Sequence, residues 1–142
     1  GSIANRKYVS ISEGISEVDF DEQFGTVKLS NCVYRGLEEE LGVKEDMIQM
    51  DSLKFYDLYL DREKFEIGFT SLVKAKERYK KDILIDINFI RNLPKSDGYE
   101  STMLYNIALN NNEIKKFIKE NEFIPQGLYS LRMICARESI YL

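Results

Sequence analysis

Arg35-Gly36-Leu37-Glu38-Glu39-Glu40-Leu41-Gly42-Val43 is the stretch on which the reading of this chain turns. Upstream of it, Leu29, Cys32 and Val33 set an apolar spacing that Leu37 and Leu41 continue, which predicts an amphipathic helix starting at about Thr26 and ended by Gly42. Residues three and four apart on a helix share a face. Position 36 therefore lies with Glu39 and Glu40, while Glu38 points to another side. A glycine inside a helix costs about 1 kcal/mol relative to alanine, so Gly36 is expected to let another backbone or a ligand come close. The same residues are also an ordinary way to end a surface helix, and Glu38, Glu39 and Glu40 then form a solvated face.

The nine residues resemble the second half of a Nudix box. That pattern is Arg-Glu, an aliphatic residue, any residue, Glu-Glu, any residue, Gly and an aliphatic residue. Eight of the nine positions comply, and the exception is Gly36, where the family has a glutamate. The first half of the box departs further. Counting back from Arg35 puts Val27 where the family has Glu and Asp21 where it has Gly. Gly25, Glu22 and Ser12-Glu13-Gly14 lie nearby without keeping the spacing. The family's Arg pairs with that upstream Glu, so Arg35, as structural support of the site, needs another partner, with Glu13 as the candidate.

The resemblance implies a chemistry. Carboxylates on one helix face make a hard oxygen site for Mg²⁺, and the ion stabilises charge at a diphosphate and activates water. Glu39 and Glu40 are the expected catalytic and metal-binding residues, two where the family has three. Gly98-Tyr99-Glu100 resembles a place where many members carry a further carboxylate, which makes Glu100 a candidate at the substrate. The implied fold is α+β, an α/β/α sandwich with a mixed sheet between helices, formed as one domain over residues 1–142.

Composition narrows the chemistry. The chain has 142 residues, 44% hydrophobic and 31% charged, a normal balance for a single globular domain. A net charge of −4 argues against bulk nucleic-acid binding. No apolar run is long enough to span a bilayer, so no membrane partner is expected. There is no His, which removes Ser-His and Cys-His nucleophile pairs and His metal ligands and leaves carboxylate and metal chemistry. Cys32 and Cys135 fall in apolar stripes of two helices and read as buried reduced thiols, from which a cytoplasmic setting follows. Gly1-Ser2 resembles a cloning scar with no initiator Met after it, so excision from a longer protein, with other domains as partners, is expected.

Along the rest of the chain, Lys7 to Ile11 reads as a strand and Asp19 to Gly25 as an acidic turn. Met47 to Leu60 and Phe65 to Lys76 read as a hairpin about Asp61-Arg62-Glu63-Lys64. Ile83 to Phe89 fits helix or strand, and Met103 to Leu109 reads as a strand. Asn110-Asn111-Asn112 caps a helix carrying Ile114, Phe117 and Ile118, and Pro125 opens a last helix with Leu128, Leu131, Ile134 and Cys135 inward. Lys74, Lys76, Arg78, Lys80 and Lys81 could meet phosphates, and Tyr56, Tyr59 or Tyr99 could stack on a base, although a solvated strand end and core packing are the ordinary roles of such residues.

Three functions are weighed. One is a Nudix-like regulatory domain with a degenerate box that binds a nucleotide-type ligand with little or no hydrolysis. A second is an active Mg²⁺-dependent hydrolase of nucleoside diphosphate-linked substrates using Glu39, Glu40 and a stand-in carboxylate, Glu13 or Glu100. The third is a protein-interaction module with a vestigial pocket.

Overall fold

A computed structural model describes residues 6–7, 11–95 and 104–142. Helices and short sheets both occur, so the class is α+β. The chain divides into two compact units. One comprises Ser10–Asp51 and Lys74–Asn106, the other Gly1–Val9, Ser52–Val73 and Ile107–Leu142. Among the described residues no helix is long and apolar enough to cross a membrane.

The first unit holds the Arg35 stretch. Strand β1 (Phe20–Asp21) pairs antiparallel with β2 (Thr26–Val27), Phe20 opposite Val27 and Asp21 opposite Thr26. The turn between them is closed by Asp21 Oδ1, which accepts from the N–H groups of Gln23 (2.9 Å) and Phe24 (3.2 Å). Thr26 and Val27 are thus strand rather than the start of the helix. Both are β-branched, which suits a pleated ladder better than a first helical turn. Helix α1 begins at Leu29 and runs to Gly36, continuing as a wider π turn over Leu37–Leu41. Gly42, at φ 72°, ends it, and the N–H of Val43 reaches back to the Leu37 carbonyl at 3.0 Å.

The base of a long hairpin, β3 (Ile48–Asp61) with β4 (Glu66–Ala75), belongs to this unit. Ile48 there is buried. The region that fits either helix or strand contains both: β5 (Lys80–Lys81) pairs antiparallel with β6 (Leu84–Ile85), and α2 (Ile87–Arg91) follows. Asp86 caps α2 by accepting from the Phe89 N–H. At its other end the Lys95 ammonium donates to the carbonyls of Ile90 and Leu93, both at 2.7 Å. The expected strand from Met103 does not form over residues 104–108. Polar groups there pair outside any ladder: Arg91 donates to the Leu104 carbonyl, and the Asn106 side chain donates to the Ile85 carbonyl at 2.9 Å.

The second unit contains the rest of the hairpin, whose four-residue turn falls one position later than the sequence suggests. Phe65 at the turn and Ile67 and Phe69 on β4 are exposed, whereas Thr70 on the opposite face is buried. Tyr59 lies over Gly68, where a Cβ would collide with its ring, and packs edge-on against Tyr129. Helix α3 (Asn111–Glu120) is capped by Asn110, which accepts from the Glu113 N–H at 2.9 Å, and its Ile114 is completely buried. Helix α4 (Pro125–Arg137) starts at its proline and buries Gly127, Ser130 and Cys135, with Leu128, Leu131 and Ile134 half-buried. Lys7 makes an isolated parallel bridge to Phe123, and residues 8–10 of the expected first strand lie outside the described residues.

Candidate functional site

The best-built polar cluster of the first unit centres on Asp19 and Arg35. Asp19 closes a 3-10 turn (Glu17–Asp19), and its carboxylate accepts the Ser16 N–H at 2.9 Å. Its carbonyl accepts from the Lys28 N–H and from the Asn31 side chain, both at 3.1 Å, which ties the loop to the start of α1. One helical turn beyond Asn31, Arg35 meets the same residue with Nε on Oδ1 at 2.9 Å and Nη2 on Oδ2 at 3.0 Å. Asp19 is only 1% exposed, so its charge needs this partner.

Arg35 is fully engaged. Besides Asp19, Nη2 donates to the Gly14 carbonyl at 2.6 Å, and Nη1 faces Glu13 Oε1 at 3.1 Å and Glu39 Oε2 at 3.3 Å. The guanidinium thus faces three carboxylates and one carbonyl. The Asp19 carboxyl is held below the ordinary aspartate range by the Arg35 hydrogen bonds, against the opposing effect of burial. Arg35 in turn is held more firmly protonated by Asp19 and then Glu13. Burial pushes the Cys32 thiol up, with Asp19 adding to it, and Cys32 and Cys135 are both free and buried.

Gly36 is buried against the segment before the 3-10 turn. A Cβ built on it would lie 3.0 Å from Glu13 Cβ and 3.0 Å from Ile11 Cγ2. The close neighbour is thus the protein's own chain. The two glutamates find different partners: Glu39 accepts from Arg35 at 3.3 Å, and Glu40 accepts the Ser12 N–H at 3.3 Å. Both are partly exposed, and Leu37 is buried.

Other candidates fall elsewhere. Glu100, Gly98 and Tyr99 lie outside the described residues. The Tyr56 hydroxyl donates to Glu138 at 2.8 Å, and Tyr59 packs on Tyr129, so both have structural partners. In the basic stretch, Lys80 pairs with Glu77, Lys81 with Asp86, and Arg78 donates to the Asp46 carbonyl. Asp19 was not among the residues singled out from sequence. Its signal was present in Ser16-Glu17-Val18-Asp19, the spacing of a capping box.

An open cleft of about 430 Å³ lies along the exposed side of the helix, lined by Asn31, Tyr34, Arg35, Glu38, Glu39 and Glu45. Its only cation is already engaged by carboxylates, so the lining is acidic and disfavours a bare phosphate. No family model, curated protein or solved structure matches the chain. Among the described residues no three His, Cys, Asp or Glu side chains are gathered to hold a metal ion. A Mg²⁺ ion at Glu39 and Glu40 would have to draw the first from Arg35 and the second from the Ser12 N–H. The carboxylates described here therefore fit that ion poorly as they stand.

Proposed function

We propose that this chain is a Nudix-like domain of α/β/α sandwich type whose box helix has been converted from a catalytic to a structural element. In this reading it serves as a regulatory module of a longer cytoplasmic protein, binding a nucleotide-type ligand with little or no hydrolysis. The observation that carries the proposal is the Arg35 fork. It joins Glu13, Gly14, Asp19 and Glu39 in one ionic cluster. The box carboxylate at Glu39 is engaged by the Arg35 guanidinium at 3.3 Å, which weakens it as a metal ligand. Gly36 lends further support, because the place of the missing glutamate is filled by Ile11 and Glu13. An active hydrolase remains the second reading, favoured by Glu39 lining an open cleft; it requires a third carboxylate, with Glu100 the candidate.

A thermal-shift panel tests the proposal. Nucleoside diphosphates, ADP-ribose and dinucleotides are added with and without Mg²⁺, and the remaining nucleotide is analysed after incubation. The proposal expects at least one compound to raise the melting temperature and to be recovered intact. No shift with any compound would leave the interaction-module reading in its place, and Mg²⁺-dependent consumption of a ligand would favour the hydrolase.

A further inference from the structure

We propose that the groove formed by α3, α4 and the segment following α4 docks an acidic amphipathic helix of a partner protein. The groove, of about 660 Å³, has an apolar floor that includes Ile118, Ala136 and Ile140, and its rim carries Lys115, Lys119 and Arg132. Lys115, Ile118 and Lys119 stand three and four residues apart on α3, and Arg132 and Ala136 four apart on α4, so each helix offers one continuous stripe. All three cations are exposed.

Charge decides what fits. No Asp or Glu side chain lines the groove. Among the described residues, none of the three rim cations enters an ion pair. Three of the neighbouring charges are matched within the unit: Arg137 pairs with Asp57, Glu138 accepts the Tyr56 hydroxyl, and Glu122 pairs with Arg6. In a chain of net charge −4 this is a local reversal of sign around an apolar surface. An amphipathic helix laid into a groove buries its apolar face there, and carboxylates along its edges complement the rim and steer the encounter. The groove is open to solvent along its length, which suits a peptide segment better than an enclosed small ligand.

The probe is a fluorescein-labelled peptide of about 18 residues, long enough to hold helical turns, with Leu at i, i+3, i+4 and i+7 and Glu at the flanking positions. Its control carries Lys in place of each Glu. Anisotropy titration of the intact chain should show saturable binding of the acidic peptide only, weakening as salt is raised. The variant Lys115→Glu/Lys119→Glu/Arg132→Glu should lose at least about tenfold in affinity with an unchanged circular dichroism spectrum. If the triple variant misfolds, Lys119→Glu and Arg132→Glu singly carry the comparison. Absence of saturable binding, or binding unaffected by charge reversal, overturns the proposal. Tighter association with phosphatidylserine vesicles than with the peptide also overturns it, assigning the surface to a membrane.

Discussion

Asp19 and Arg35, sixteen residues apart, meet in a two-pronged ion pair at 2.9 and 3.0 Å. The pair fastens the loop before the first hairpin to the last turn of α1. Removing the cation leaves a buried carboxylate alone, so Arg35→Met should destabilise the fold by about 3–5 kcal/mol, the usual cost of breaking a buried pair from one side. Urea denaturation at neutral pH measures it, and a loss below about 1 kcal/mol, the worth of a surface pair, would contradict the cluster's role.

The same pair sets an acid limb. The Arg35 guanidinium holds the Asp19 carboxyl below the ordinary aspartate range in the folded protein. A carboxylate depressed on folding contributes stability that is fully present above its unfolded pKa and is lost as pH falls through its folded one. Stability from this group should therefore be constant from neutral pH to about pH 5 and decline below about pH 4. Asp19→Asn should be less stable than wild type at pH 7 and show a shallower decline below pH 4. Parallel acid limbs in the two proteins would contradict the account.

Gly36 is tightly packed, so a side chain there makes its neighbours give way. Restoring the family's residue with Gly36→Glu must displace Ile11 and Glu13, each 3.0 Å from where the new Cβ would be. Overpacking of this kind costs about 1–3 kcal/mol, which outweighs the better helix propensity of Glu, about 1 kcal/mol at most. The variant should melt below wild type with or without Mg²⁺. A variant that melts above wild type once Mg²⁺ is added would return position 36 to a metal-binding face.

Buried and exposed sides of the same helix should respond oppositely. Leu37, 7% exposed, should cost about 2–5 kcal/mol as Leu37→Ala. Glu40→Gln keeps an acceptor for the long, exposed hydrogen bond from Ser12 and should stay within about 0.5 kcal/mol of wild type. Chemical denaturation of both variants checks the contrast, and a large loss from Glu40→Gln would mean that Glu40 supports the fold as Glu39 does.

Much of the local structure was legible where one strong chemical signal acted alone. The Asn110 cap, Pro125 at the start of α4, Gly42 at the end of the Arg35 helix and the hairpin about residues 61–64 all follow from backbone requirements that few residues satisfy. Met103 to Leu109 misled because an apolar run reports burial or exposure but not pairing, and its polar groups found partners elsewhere. The alternation of Phe65 at the turn with Ile67 and Phe69 on β4 was real, yet the face covered is the one opposite, because Gly68 admits the Tyr59 ring there. At the candidate site, Glu13 could be suggested as a partner for Arg35, but Asp19 could not be chosen from several nearby acids. Which acid an arginine reaches depends on loop geometry that spacing does not encode. The partners of Glu39 and Glu40, Arg35 and the Ser12 N–H, were equally invisible, since spacing along the helix does not say which loop lies against it.

Hydrolytic turnover tests most directly the claim that the box helix is structural. The purified chain is incubated with ADP-ribose, nucleoside triphosphates and dinucleoside polyphosphates at millimolar Mg²⁺, beside Glu39→Gln, and product is quantified by chromatography. The account expects little or no Mg²⁺-dependent product from either protein, far below the ordinary enzyme range. Turnover in the ordinary enzyme range, about 1–1000 per second, that disappears in Glu39→Gln would contradict it.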